Sequence, residues 1–225
     1  MNYSHRFSDG RTFGHPLGKI VCVGRNYAEH AKELNNPIPV SPILFIKPET
    51  AAAAFEGEVQ IPVGRGSVHY ELELAVLIGK TLTNADVTDV AQAIAGYGLA
   101  LDLTLRDVQS ELKEKGLPWE RAKCFDGACP LSRFVAADNL AAPQSARIAL
   151  TIDDEVRQDG LTSDMLNPIL PLIAYMSSQF TLKPGDVVLT GTPKGVGPIE
   201  VGQKLTAQLN DLLTCSAVVV PQKNR

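Results

Sequence analysis

The stretch His69-Tyr70-Glu71-Leu72-Glu73-Leu74-Ala75-Val76-Leu77-Ile78 constrains the fold most, because its polar and apolar residues alternate at the period of two that belongs to a β-strand. Such a strand is expected to be half-buried, with an apolar face on the core and His69, Glu71 and Glu73 on the other. Alternate residues on one face lie roughly 6.6 to 6.8 Å apart, so two glutamates can converge their oxygens on one small hard cation that offsets their repulsion. The plainer reading of an isolated Glu-x-Glu is a solvated face with two surface acids, so the rest of the chain must decide.

Elsewhere the pattern predicts a buried strand at Lys19–Val23, a turn at Gly24-Arg25-Asn26, and a short helix from Tyr27 to Leu34 with Asn26 as its N-cap, ended by Asn35-Asn36-Pro37. A strand follows at Pro42–Ile46. Helices are expected at Asn84–Gly96, at Thr104–Lys115 opened by a Thr104-Leu-Arg-Asp107 capping box, and at Pro168–Phe180. Between them fall the strand Tyr97–Leu103, a hairpin turning at Asp153-Asp154, the strand Val187–Thr190, and final strands near Lys204–Leu209 and Leu212–Val220. Strands outnumber helices and show no βαβ rhythm, so the fold class is α+β, strand-dominated, with a mixed sheet core and peripheral helices. Residues 1–17 read as an N-terminal extension and 18–225 as a single domain.

With 21 basic and 25 acidic residues and no basic run, the chain has no electrostatic footprint for nucleic acid or an anionic membrane, and a small-molecule partner fits better. No run approaches the ~20 apolar residues of a membrane span, and Met1–Arg11 lacks a secretory signal's apolar centre, so a cytoplasmic protein is expected. The four cysteines form no C-x-x-C pair and read as reduced, mostly buried thiols.

Asp102 interrupts the apolar run Gly98-Leu-Ala-Leu-Asp-Leu-Thr-Leu105, where an unpaired charge is costly without a hydrogen-bonded role or a cation. With Glu71 and Glu73 it completes three carboxylates, a donor set suited to Mg²⁺, Mn²⁺ or Ca²⁺ rather than zinc. His69 fits better as a hydrogen-bond partner of a ligand than as a ligand. His30 and Glu33 share a helix face, where the carboxylate can fix the imidazole tautomer and raise its basicity; the same pair on an exposed helix is merely solvated. Gly191-Thr192-Pro193-Lys194-Gly195-Val196-Gly197 lacks the spacing of a nucleotide loop, but its N–H groups and the Thr192 hydroxyl suit a carboxylate. Lys123 sits in a mixed apolar and charged context that suggests partial burial against an anion, while Arg25, Lys47, Arg106 and Gln109 flank the site as substrate contacts or surface residues.

These motifs together resemble the fumarylacetoacetate hydrolase family, in its short acylpyruvate hydrolase and oxaloacetate decarboxylase-like branch. The resemblance rests on Gly24-Arg-Asn-Tyr-Ala-Glu-His30-Ala-Lys-Glu33, Pro42–Pro48, His69–Glu73, Asp102-Leu-Thr-Leu-Arg-Asp-Val-Gln109, Gly116–Lys123 and Gly185–Gly197. It implies a mixed β-sandwich roll, usually a homodimer, with Mg²⁺ or Mn²⁺ at Glu71, Glu73 and Asp102. It also implies His30 and Glu33 on a mobile lid, Lys123 beside them, and Lys47, Gln109 and Thr192 facing a small 2-oxo acid. The first activity expected is metal-dependent hydrolysis of 3-acylpyruvates such as acetylpyruvate or fumarylpyruvate. Alternatives on the same site are oxaloacetate decarboxylation or tautomerisation and 2-hydroxyhepta-2,4-diene-1,7-dioate isomerisation. A non-catalytic metal and carboxylate binder is the rival from another class.

Overall fold

The computed structural model describes residues 3–34 and 37–222. Among them, an eight-stranded mixed sheet runs in the order Ile43–Pro48, Lys19–Gly24, Val187–Leu189, Leu72–Ile78, Ile94–Leu101, Cys129–Leu131, Ala52–Ala54, with Val135–Ala136 also paired to Ile94–Leu101. The pairs Lys19–Gly24 with Val187–Leu189 and Ala52–Ala54 with Cys129–Leu131 are parallel, and the others are antiparallel. A five-stranded sheet, ordered Glu155–Leu161, Arg147–Ile152, Lys204–Leu209, Leu213–Pro221, Gly57–Ile61, packs its second and third strands against the centre of the first sheet. Peripheral helices α1 (Ala28–Glu33), α2 (Val87–Ala93), α3 (Arg106–Glu114), α4 (Glu120–Lys123) and α5 (Ile169–Gln179) complete the strand-dominated α+β fold. None of the described helices is long and apolar enough to cross a membrane.

The stretch His69–Ile78 is not one half-buried strand. Every residue of Leu72–Ile78 is buried, because this strand lies inside the large sheet and under the second one. The chain breaks at Glu71, and Val68–Tyr70 belongs to a separate three-stranded sheet with Gly197–Pro198 and Thr104–Leu105. Two neighbouring strands break likewise. Ile94–Leu101 leaves the large sheet at Asp102 and rejoins the small one as Thr104–Leu105, and Val187–Leu189 does so through residues 190–196. The Asp102 N–H donates to the Glu71 carbonyl at 2.8 Å, so the two breaks lie side by side.

Several local expectations give way to tertiary demands. Asn26 does not cap α1, whose N-cap is Tyr27 without a side-chain bond; its buried amide instead donates to the Thr190 and Asn167 carbonyls. The Asn35-Asn36 pair lies outside the described residues. The capping box before α3 is absent, since the Thr104 hydroxyl donates to the Asp102 carbonyl and Asp107 accepts from the Ser67 N–H. Helix α2, capped by Asp86, stops at Ala93 because Ile94–Gly96 is drawn into the large sheet. The hairpin at Asp153-Asp154 forms as expected, both residues at positive φ (49° and 67°), the conformation a two-residue hairpin turn needs. The segment ahead of Lys19 packs on the body, with Phe7 in the core and His5 Nε2 2.8 Å from the Gly185 carbonyl. Cys22, Cys129 and Cys215 are buried and Cys124 half-buried, all four as free thiols.

Candidate active site

Because two strands leave the large sheet side by side, Glu71 and Asp102 sit at the junction of two sheets, with Glu73 one step inside. The three carboxylates are buried, and one oxygen from each lies within 4.8 Å of the others. Lys123, at the end of α4, places its ammonium 2.8 Å from Glu71 Oε2 and 2.5 Å from Asp102 Oδ2. Arg106, at the start of α3, binds Glu71 Oε1 and donates to Gln109 Oε1 at 2.7 Å. Gly191 donates its N–H to Glu73 Oε2 at 2.5 Å, and it can do so because φ is +93° there and any Cβ would fall 2.6 Å from that of Asn26.

The charges are unevenly matched. Burial alone would raise the Glu71 carboxyl, but the Lys123 ammonium and the Arg106 guanidinium outweigh it and hold the group well below the usual carboxylate range. Glu73 goes the other way: burial, with Asp102 and Glu71 beside it, pushes its carboxyl well above that range. Lys123 is held above its ordinary value, since Asp102 and Glu71 outweigh the opposing effect of burial. Among the described residues Glu73 is thus the one acid of the three without an ion-pair partner, and it accepts only the Gly191 N–H. A cluster of hard oxygen donors in which one acid has no ion-pair partner among the described residues fits a divalent cation, which Glu71, Glu73 and Asp102 would hold.

These groups line one small cavity with Arg25, His30, Gln109 and Thr192, which the sequence had singled out, and with Val23, Gly24, Leu34, Phe45, Lys113 and Trp119. Two expected members stand back from it. Lys47 does not face substrate: it is fully buried beneath Asp102, 2.8 Å from Oδ1, and donates to the carbonyls of Lys123, Ala128 and Leu103. Its ammonium therefore braces Asp102 from below. Glu33 turns to the glycine loop, accepting the Gly195 N–H at 3.1 and 3.2 Å, and its Oε2 is 3.5 Å from His30 Nδ1. Among the described residues that nitrogen has no hydrogen-bond partner, nor does the buried Nδ1 of His69. Burial lowers the pKa of both His30 and His69, so both imidazoles are neutral at pH 7.

Sequence reasoning missed Gln158. This buried residue of the second sheet accepts the Leu72 N–H at 2.9 Å and donates to Thr192 Oγ1 and the Pro193 carbonyl, both at 2.8 Å. It joins the acid-bearing strand to the glycine loop. Its only sequence signal is one amide in a strand that otherwise reads as exposed.

Comparison with known proteins agrees with this geometry. The family model for the fumarylacetoacetate (FAA) hydrolase C-terminal domain matches residues 19–220. The chain is 55% identical over 205 residues, 91% of its length and 94% of the relative's, to oxaloacetate tautomerase YcgM of Escherichia coli (strain K12). Among solved structures, a fumarylacetoacetate hydrolase family protein from Yersinia pestis CO92 superposes with a TM-score of 0.95 at 52% identity, covering 97% of this chain and 100% of that one. The fumarylpyruvate hydrolase of Pseudomonas aeruginosa, in complex with Mn²⁺ and pyruvate, does so at 0.91 and 34% identity, covering 98% and 97%. From the matched span, these identities and the shared fold, the chain belongs to the fumarylacetoacetate hydrolase family.

Proposed function

We propose that this chain is an oxaloacetate tautomerase, interconverting the keto and enol forms of a small 2-oxo diacid. The motifs alone put acylpyruvate hydrolysis first; the names of relatives 55% and 44% identical to this chain favour the alternative. The observation that carries the reading is the state of the His30–Glu33 dyad. Hydrolysis needs the carboxylate to drive the imidazole against a water, yet Glu33 is turned to Gly195 and His30 stands buried, neutral and without that hydrogen bond. A neutral, buried imidazole suits proton shuttling, which needs no attacking water.

Mg²⁺ or Mn²⁺ held by Glu71, Glu73 and Asp102 supplies Lewis acidity toward the 2-oxo group. Arg106, whose buried Nε has no hydrogen-bond partner among the described residues, and Gln109 receive the adjacent carboxylate. His30 takes the C3 proton, and the Lys123 ammonium stabilises the negative charge that develops on the ketone oxygen. The imidazolium then returns the proton to that oxygen, giving the enol and restoring neutral His30. The reverse sequence yields the ketone.

The test follows the ultraviolet absorbance of freshly dissolved enol-oxaloacetate with purified protein and Mg²⁺. Decay faster than Mg²⁺ alone, lost in His30→Ala, supports the proposal. Cleavage of acetylpyruvate or fumarylpyruvate without faster enol decay would reject it for the hydrolase reading, which the fumarylpyruvate hydrolase likeness supports.

A further inference from the structure

The cavity lining holds three cations besides Lys123, and they gather at its mouth. Arg25, Arg106 and Lys113 crowd together there, and burial together with the Arg25 and Arg106 charges lowers the Lys113 pKa. Arg106 is matched by Glu71. Arg25 has no carboxylate partner among the described residues. It is also the single described non-glycine residue on the cavity wall with positive φ (59°), a conformation costing about 1 kcal/mol or more in a long side chain. Like charges crowded beside a strained backbone persist where a ligand of opposite charge compensates them.

We infer that Arg25 and Lys113 form a clamp for the far carboxylate of the substrate and so select 2-oxo dicarboxylates over 2-oxo monocarboxylates. The inference rests on the tautomerase reading for the near end of the substrate: Arg106 and Gln109 take the C1 carboxylate, and the second carboxylate, beyond C3, reaches the mouth. Selectivity then comes from charge placed away from the reacting atoms. Lys113 on α3 and Arg25 in the turn ahead of α1 lie on different segments, so the clamp also draws those segments together over a bound diacid.

The experiment compares oxaloacetate with 2-oxobutanoate, which carries a methyl group in place of the far carboxylate. Turnover is read as enol–keto exchange at C3, and binding as quenching of Trp119, the chain's one tryptophan, which lines the cavity. Both are measured in Mg²⁺ for wild type, Arg25→Met, Lys113→Met and Arg25→Lys. Losing one charge-assisted hydrogen bond should cut the oxaloacetate over 2-oxobutanoate preference in the Met variants by about tenfold or more, mainly through KM and Kd. Arg25→Lys, which keeps the charge, should retain most of it. An unchanged preference in both Met variants, or an equal loss in Arg25→Lys, would overturn the clamp. If wild type turns over neither acid, the tautomerase reading fails, and Trp119 quenching still decides whether these side chains discriminate the two ligands.

Discussion

Replacing Lys123 with Met tests the charge balance of the site directly. The side chain is 3% exposed and its ammonium contacts two buried carboxylates, at 2.8 Å for Glu71 and 2.5 Å for Asp102. At an effective dielectric constant of about 20, each contact corresponds to roughly 6 kcal/mol of Coulomb attraction, most of it offset by the desolvation of three ions. Methionine fills nearly the same volume, so what is lost is the pairing, and removing one partner of a buried ion pair costs about 3–5 kcal/mol. For a chain of this length that is a fall in Tm of about 6–20 °C at neutral pH in EDTA. The sign with pH is fixed by Glu71. Its folded pKa is depressed, so its stabilisation is present above the unfolded value near 4.5 and lost as pH falls through the lower folded value. The variant lacks most of that stabilisation, so its deficit should be largest at neutral pH and shrink as pH falls below 5. Mg²⁺ should restore more stability to the variant than to wild type, because a second cation compensates the same oxygens. The assay is differential scanning fluorimetry from pH 4 to 8, with EDTA or Mg²⁺. A Tm within 2 °C of wild type in EDTA, or a deficit that grows on acidification, would refute the reasoning.

Glu73→Gln should act in the opposite sense. The folded Glu73 pKa is raised, so its favourable contribution is present below the unfolded value and lost as pH rises through the folded one; the EDTA-treated variant should melt above wild type at pH 8, with the gap closing towards pH 4, and turnover should be lost. Gln158→Leu strands the Leu72 N–H and leaves the Thr192 hydroxyl without its donor, costing about 1–3 kcal/mol in urea unfolding and lowering kcat. The acid limb of the tautomerisation pH–rate profile should fall below 6.5, since burial lowers the His30 pKa; a limb at or above 6.5 would show another group controlling it.

Much of the site was legible because its chemistry follows residue type. Glu71, Glu73 and Asp102 stood out as acids in apolar runs, and Lys123 as a cation in mixed company; folding brings the acids within 4.8 Å of one another and Lys123 against Glu71 and Asp102. What the pattern misjudged was the layering. Alternation at His69–Glu73 suggests a half-solvated strand, but period two cannot tell water from a lined cavity on the polar side. Strands as short as Val68–Tyr70 or Cys129–Leu131 carry no periodicity at all. Asn26, Thr104 and Asp107 looked like helix caps because cap and tertiary hydrogen bonds use the same side chains, and only the fold decides which forms. Lys47 follows an apolar strand and read as a substrate contact, whereas three carbonyls and one carboxylate hold its ammonium beneath the site.

The junction where neighbouring strands pass from one sheet to another divides labour within the protein. Its acids are anchored by backbone pairing with the neighbouring strand, which fixes where their side chains start. The side chains we infer to choose among substrates, Arg25 and Lys113, ride on the turn before α1 and on α3, outside that lattice. New specificities can therefore arise through edits to the rim, while the reactive floor keeps its shape.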